Sequence, residues 1–239
     1  MKAVIVAAGR GKRMGNLTDN IPKPLLKLGK DTLISRSVKI LKKNRIDEIY
    51  IVVGYLKEKI EEALGSQCNY IFNPFWKTTN NMLSLWFAKP FVRGRNFLYL
   101  HGDLVYEKIL IRKILHHKKG DLSLLVDHRE VDREAMKVKV KNGKLIESKK
   151  EIPIKEAYGE WIGITYFSKQ GSKAYFDIVD TIASDPENFG KYDTFAFTSM
   201  ARNGLDVRVV NSNPHFWKEI DFGEDYLIAK NYFSKHSNF

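Results

Sequence analysis

Short apolar runs and helical stripes alternate along the first half of the chain. Residues 2–7, Lys-Ala-Val-Ile-Val-Ala, form the first run, and 48–53, 69–72, 96–101 and 121–126 follow. Each is rich in β-branched or aromatic residues, the pattern of a strand buried on both faces. Between the runs, apolar positions recur with helical period. Residues 32–45 bring Leu33, Ser37, Ile40 and Leu41 to one face, 56–64 stack Ile60 on Leu64, and 80–88 and 107–117 show the same period. This alternation predicts an α/β fold with a doubly wound, mostly parallel sheet. The second half changes character. Residues 136–147 alternate lysine with apolar residues, turn at Asn142-Gly143 and return through Leu145 and Ile146, which predicts a β-hairpin. A strand at 158–167, helices at 169–183 and 193–203, strands at 206–210 and 217–220 and a last helix at 223–234 complete the pattern. The polar 148–157 connection is short, so the hairpin reads as a small insertion on the sheet. A single domain over 1–239 is expected, with a first half at 1–127 and a second at 128–239.

The first strand empties into Ala8-Gly9-Arg10-Gly11-Lys12-Arg13-Met14, and Pro22-Lys23-Pro24-Leu25 comes soon after. Glycines let the backbone bend and bring its N–H groups close to phosphate oxygens, while Arg and Lys supply positive charge. Such a turn suits a polyphosphate. It does not suit a dinucleotide cofactor, because Met14 fills the third glycine's place and the second strand ends in Val53-Gly54-Tyr55 with no acid for a ribose.

Composition narrows the class. A chain of 239 residues with 44% hydrophobic and 28% charged residues is an ordinary globular protein with a sizeable core. The net charge of +12 raises the question of nucleic acid. The basic residues are scattered, however, and many are lysines on predicted helix faces, such as Lys39, Lys42 and Lys43. A solvated surface and a small anionic substrate account for them, and no nucleic-acid partner is expected. Cys68 is the only cysteine, which excludes an internal disulfide and a cysteine metal site and fits a reducing, cytoplasmic setting. No apolar run approaches the roughly 20 residues that span a bilayer, and the N-terminus shows no signal-peptide pattern.

The Ala-Ala-Gly-Arg-Gly-Lys-Arg-Met turn, Pro22-Lys23-Pro24-Leu25 and Asp31-Thr32-Leu33-Ile34 together strongly resemble the sugar-phosphate nucleotidyltransferase superfamily. Later segments agree: His101-Gly102-Asp103 at a strand end, Gly159 to Gly163, and Glu219-Ile220-Asp221 followed by Glu224-Asp225. Asp31-Thr32 stands where the family usually has proline, a harmless change at a helix start that Thr or Asp caps well. Asn80-Asn81-Met82-Leu83-Ser84-Leu85 is similar to a segment of the small single-domain cytidylyltransferases, which use phosphocholine, inositol 1-phosphate or aminoethylphosphonate. The resemblance implies a Rossmann-like, GT-A-like fold, with a nucleotide-binding first half and an acceptor-binding second half. It implies transfer of CMP from CTP to a small phosphorylated acceptor, with release of pyrophosphate and Mg²⁺ as cofactor. A uridylyl- or thymidylyltransferase acting on a hexose 1-phosphate is the alternative. A monomer or homodimer would serve equally.

On this reading Arg13 grips the β- and γ-phosphates, or is a surface arginine. Lys23, fixed between two prolines, touches the α-phosphate or the acceptor phosphate. Backbone groups of Ala7, Ala8, Gly9, Gly11 and Lys12 border the nucleotide. Asn80, Asn81 and Ser84 either read cytosine through amide and hydroxyl groups or cap a helix. Asp103, at the C-terminal end of a strand, is a Mg²⁺ ligand or a helix cap, and Asp221 is the second carboxylate or the cap of the last helix. Lys150, Tyr158 and Glu160 are the acceptor-side candidates, with Tyr158 and Glu160 on one face of their strand and Trp161 on the other. The six histidines show no metal-ligand spacing.

Overall fold

The computed structural model describes residues 1–129 and 131–236, without the side chains of Lys12 and Asn16. In chain order the first half contains β1 (Lys2–Ala7), β2 (Lys27–Leu28), β3 (Asp31–Thr32), α1 (Leu33–Lys43), β4 (Glu48–Val53), α2 (Lys57–Leu64), β5 (Asn69–Phe72), α3 (Asn81–Trp86), α4 (Lys89–Val92), β6 (Phe97–His101), β7 (Leu104–Tyr106), α5 (Ile109–His117) and β8 (Leu122–Asp127). The second half adds β9 (Lys137–Lys141), β10 (Lys144–Ser148), β11 (Gly159–Phe167), α6 (Lys169–Ala183), α7 (Asp193–Arg202), β12 (Val207–Asn211), β13 (Trp217–Glu219) and α8 (Gly223–Lys235).

One sheet runs in the order β5-β4-β1-β6-β11-β8-β12-β10-β9. β1 lies parallel to β4 and β6, β4 to β5, and β8 to β12. β11 is antiparallel to both β6 and β8. Its N-terminal half therefore reaches the same sheet edge as the C-terminal ends of β1, β6 and β8. The β9–β10 hairpin joins beside β12, and β9 also pairs with the start of β11. Asn142 and Gly143 both have positive φ at its turn, as a type I′ hairpin demands.

The period-2 alternation of β1 feeds two cores. Ala3, Ile5 and Ala7 pack with Val38, Leu41, Ile60, Leu110 and Ile114 of α1, α2 and α5. Val4 and Val6 pack on the other face with Met82, Tyr175, Phe176 and Phe197 of α3, α6 and α7. α1 starts on a capping box: Thr32 Oγ1 accepts from Ser35 N at 3.1 Å and Ser35 Oγ accepts from Thr32 N at 2.8 Å. The helix expected over 80–88 stops at Trp86, and Pro90 sits in the first turn of the separate α4, because a proline cannot continue the preceding turn. Sequence periodicity did not predict β7. It pairs with β13 in a two-stranded ribbon, which brings the segment around Asp221 over the end of β6.

Candidate active site

The crevice at the C-terminal edge of β1 and β6 is where open α/β sheets hold ligands. Here it is a cleft of about 320 Å³. The turn after β1 forms one wall. Gly11 has a φ of 69°, and a Cβ there would lie 3.1 Å from the Lys23 Cβ. Glycine thus provides both the left-handed backbone and the space into which Lys23 folds. Lys23 is buried, at 8% exposure. Its Nζ lies 2.6 Å from Asp103 Oδ2 and 3.0 Å from Asp221 Oδ1. Burial disfavours the Lys23 ammonium, but the charges of Asp103 and Asp221 outweigh it and raise the pKa above the ordinary lysine value. The Asp103 carboxyl is lowered for the complementary reason: burial opposes ionisation, and Lys23 and then His101 overcome it. Arg13 reaches the same Asp221 oxygen at 2.8 Å and keeps about half its surface exposed. Ala7, Ala8, Gly9, Gly11, Arg13, Lys23, Asp103 and Asp221 all border this cleft. The Lys12 side chain lies outside the described residues.

Asn80 and Asn81 form the opposite rim. Asn80 caps α3 through Oδ1, which accepts from Asn81 N at 2.8 Å, and its amide donates to Gly190 O at 3.3 Å. The Asn81 amide nitrogen lies 3.1 Å from His101 Nε2. The structure does not bring Ser84 to the cleft. Its buried hydroxyl instead accepts from Asn73 Nδ2 at 3.1 Å. Asn73 also donates to Thr79 Oγ1 and accepts from Phe75 N, both at 2.9 Å. Ser84 therefore anchors the loop that presents Asn80.

Of the residues expected to meet the acceptor, Lys150 lines the cleft, with Nζ 3.0 Å from Glu134 Oε2 and 5.5 Å from the Tyr192 ring centre. Glu160 faces an adjoining cavity that it shares with Asp132 and Glu219. Burial, then the charges of Asp132 and Glu219, push its carboxyl up to about 8. Tyr158 is 46% exposed and packs edge-on against His128, away from the residues that border the cleft. Trp161 is 3% exposed and borders the cleft from below, its Nε1 donating to Thr165 Oγ1 at 3.0 Å.

Three residues given no role by the sequence reading, His101, Asp193 and Glu219, also border the cleft. His101 is buried, with Nε2 2.9 Å from Asp193 Oδ2 and Nδ1 3.2 Å from Glu219 Oε1. Asp193, fully buried at the start of α7, also accepts from Tyr99 OH at 2.6 Å. Burial lowers the basicity of His101, but Asp193 and Glu219 more than compensate and raise its pKa well above the ordinary value. The sequence did hold a signal for His101. It is the last residue of the strand that opens on the cleft, two residues before Asp103 in the following turn. Asp193 carried none.

A family model described as a MobA-like NTP transferase domain matches residues 3–148. The chain is 27% identical over 251 residues to a CTP:phosphoglutamine cytidylyltransferase of Campylobacter jejuni subsp. jejuni serotype O:2, covering 95% of this chain and 98% of that protein. It is 37% identical over 155 residues to an N-acetylmuramate alpha-1-phosphate uridylyltransferase of Neisseria meningitidis serogroup B, covering 53% of this chain and 66% of that one. The inositol-1-phosphate CTP transferase from T. maritima superposes with a TM-score of 0.81 at 21% identity, over 96% of this chain and 94% of that chain. That likeness is one of fold, and it matches the α/β architecture expected from the strand–helix alternation.

Proposed function

This chain belongs to the family of MobA-like NTP transferase domains, and on that footing we propose that it moves CMP from CTP to a small phosphorylated acceptor and releases pyrophosphate. What carries the reading is the convergence of Lys23, Arg13, Asp103 and Asp221 beneath the glycine turn, with Asn80 and Asn81 on the facing rim. An acceptor phosphate or phosphonate oxygen attacks the α-phosphorus, forming a new P–O bond as the bond to the pyrophosphate oxygen breaks. Both reactants are anionic, so charge neutralisation and alignment dominate the barrier. No protein nucleophile is required.

In the cleft Arg13 and Lys23 are paired with acids. A triphosphate entering the turn takes over Arg13 and Lys23: Arg13 holds the terminal phosphates through its guanidinium fork, and the Lys23 ammonium stays beside the α-phosphate, where charge develops. Asp103 and Asp221 already converge on one positive charge, so their donor set fits a hard dication such as Mg²⁺. When bound, that ion supplies further neutralisation of the phosphates. The asparagine amides can pair with the amino group and acceptors of cytosine. The CTP assignment draws on the names of the Campylobacter and T. maritima proteins. The Neisseria relative favours a second reading, uridylyl transfer to a sugar phosphate.

The test is pyrophosphate release by the purified chain with CTP, Mg²⁺ and a panel of phosphocholine, inositol 1-phosphate, phosphoglutamine and hexose 1-phosphates. Release with CTP and one of the first three supports the proposal. Much faster release with UTP or dTTP and a hexose 1-phosphate would overturn the donor assignment. No release with any pair would overturn the transfer.

A further inference from the structure

α7 and the end of β10 enclose a second space beside the cleft. It measures about 550 Å³ and borders none of Lys23, Asp103 and Asp221. Met136, Lys150 and Tyr192 border both spaces, so the two adjoin at the Lys150 end of the cleft. Thr194 and Thr198 lie four residues apart on α7 and share a helix face. That face meets β10, where Thr198 Oγ1 accepts from Ser148 N at 2.9 Å. Two hydroxyls at this space lack a good partner. The Ser148 hydroxyl is buried and has no hydrogen-bond partner among the described residues. Thr194 is 2% exposed, and its hydroxyl donates to the Met136 thioether at 3.1 Å, a weak acceptor. Buried polar groups left in this state are costly unless something else satisfies them.

The charges along the wall point the same way. Glu147 is neutralised twice, by Lys149 at 2.9 Å and by Arg202 at 3.0 Å. The other acid on the wall, Glu151, is exposed to solvent. Lys191 has no acid partner among the described residues, and its ammonium lies 5.4 Å from the Phe195 ring centre. Donor hydroxyls and an unpaired ammonium suit an anionic, hydrogen-bond-accepting group. The Tyr192 and Phe195 rings give an apolar wall to the chain that would carry it. We propose that this space receives the far end of the acceptor, and that the acceptor bears a carboxylate on a short aliphatic chain beyond its phosphate or phosphonate. The position of the phosphate rests on the transfer reading, whereas the carboxylate subsite stands apart from the transfer residues. A carboxylated acceptor is thereby preferred over a cationic or uncharged one of the same length.

ω-Carboxyalkylphosphonates of increasing chain length, and the alkylphosphonates of matching length, are the probes. Titration calorimetry measures their binding with and without CTP before Mg²⁺ is added, and pyrophosphate release measures turnover once it is. At the best chain length the carboxylate should strengthen binding and lower KM by roughly 10–100-fold, the effect of hydrogen bonds to a charged group. Thr194→Val keeps the side-chain shape, removes the hydroxyl and should reduce that advantage. Lys191→Glu, at an exposed position that does not endanger the fold, should remove it. Ser199→Trp, which fills the space from α7, should remove it while alkylphosphonates still bind. The subsite is refuted if the carboxylate gives no advantage at any chain length, or if its advantage survives both Lys191→Glu and Ser199→Trp. Carboxylate-dependent binding without pyrophosphate release from any acceptor would keep the subsite and refute the transfer reading. Release that is indifferent to the carboxylate would do the reverse.

Discussion

Replacing Glu160 with glutamine removes a charge that the folded state disfavours, and the consequence is a stability difference that depends on pH. In the folded protein the Glu160 carboxyl is pushed up to about 8 from an ordinary value of 4.5, first by burial and then by Asp132 and Glu219. A carboxyl raised in this way is neutral in the folded chain and ionised in the unfolded one between those two values. The folded state then binds more protons, so stability falls as pH rises through the window, is unaffected below about 4.5 and reaches its full penalty above about 8. The difference of about 3.5 units corresponds to about 4.8 kcal/mol at 1.36 kcal/mol per unit. Glu160 borders an open cavity, and screening there reduces the figure to about 2 kcal/mol. Urea unfolding of the protein and of Glu160→Gln at pH 4 through 9 is the assay. The two curves should coincide at pH 4, and the variant should be more stable by about 2 kcal/mol at pH 9. Parallel profiles across the range would refute the reasoning, since they would show that Glu160 is ionised in both states.

Lys23→Ala should lower kcat by roughly 10²–10⁴, the loss expected for a charge contact made in the transition state. A change confined to KM would assign Lys23 to ground-state binding instead. The same substitution leaves Asp103 and Asp221 facing each other without their shared ammonium, so a drop in the urea midpoint is expected at pH 7. Gly163→Ala forces a side chain into a left-handed conformation against Leu104 and His101. It should cost about 1–3 kcal/mol in unfolding free energy, and an unchanged melting temperature would show that β11 can relax there.

The local signals were readable from the chain alone. The first apolar run becomes an interior strand of the sheet because a strand buried on both faces needs no polar side. Thr32 and Ser35 make a capping box, and Asn142-Gly143 makes a primed turn, because these geometries depend on a few neighbouring residues. The glycine-bearing basic turn after β1 was legible for the same reason: its glycines and basic residues are contiguous. Periodicity also gave the right extent for α6, whose stripe of apolar positions sits within one helix.

Long-range pairing decided the rest. Lys23 meets Asp221 across 198 residues, and only the β7–β13 ribbon, held in part by Ile220 N donating to Asp103 O at 3.1 Å, carries that aspartate over β6. Tyr158 and Glu160 share a strand face in the sequence pattern, yet Tyr158 precedes β11 and turns outward to His128, while Glu160 faces the cavity beside Glu219. Ser84 reads as a base contact in a linear segment and becomes a loop anchor once Asn73 folds under it. His101 gained its place only when α7 docked with Asp193 at its tip. Local backbone chemistry fixes strands, turns and caps because their partners are nearby in the chain. Which carboxylate faces which cation depends on strand order, the direction of β11 and the docking of helix ends, and those are settled only by burying two cores at once.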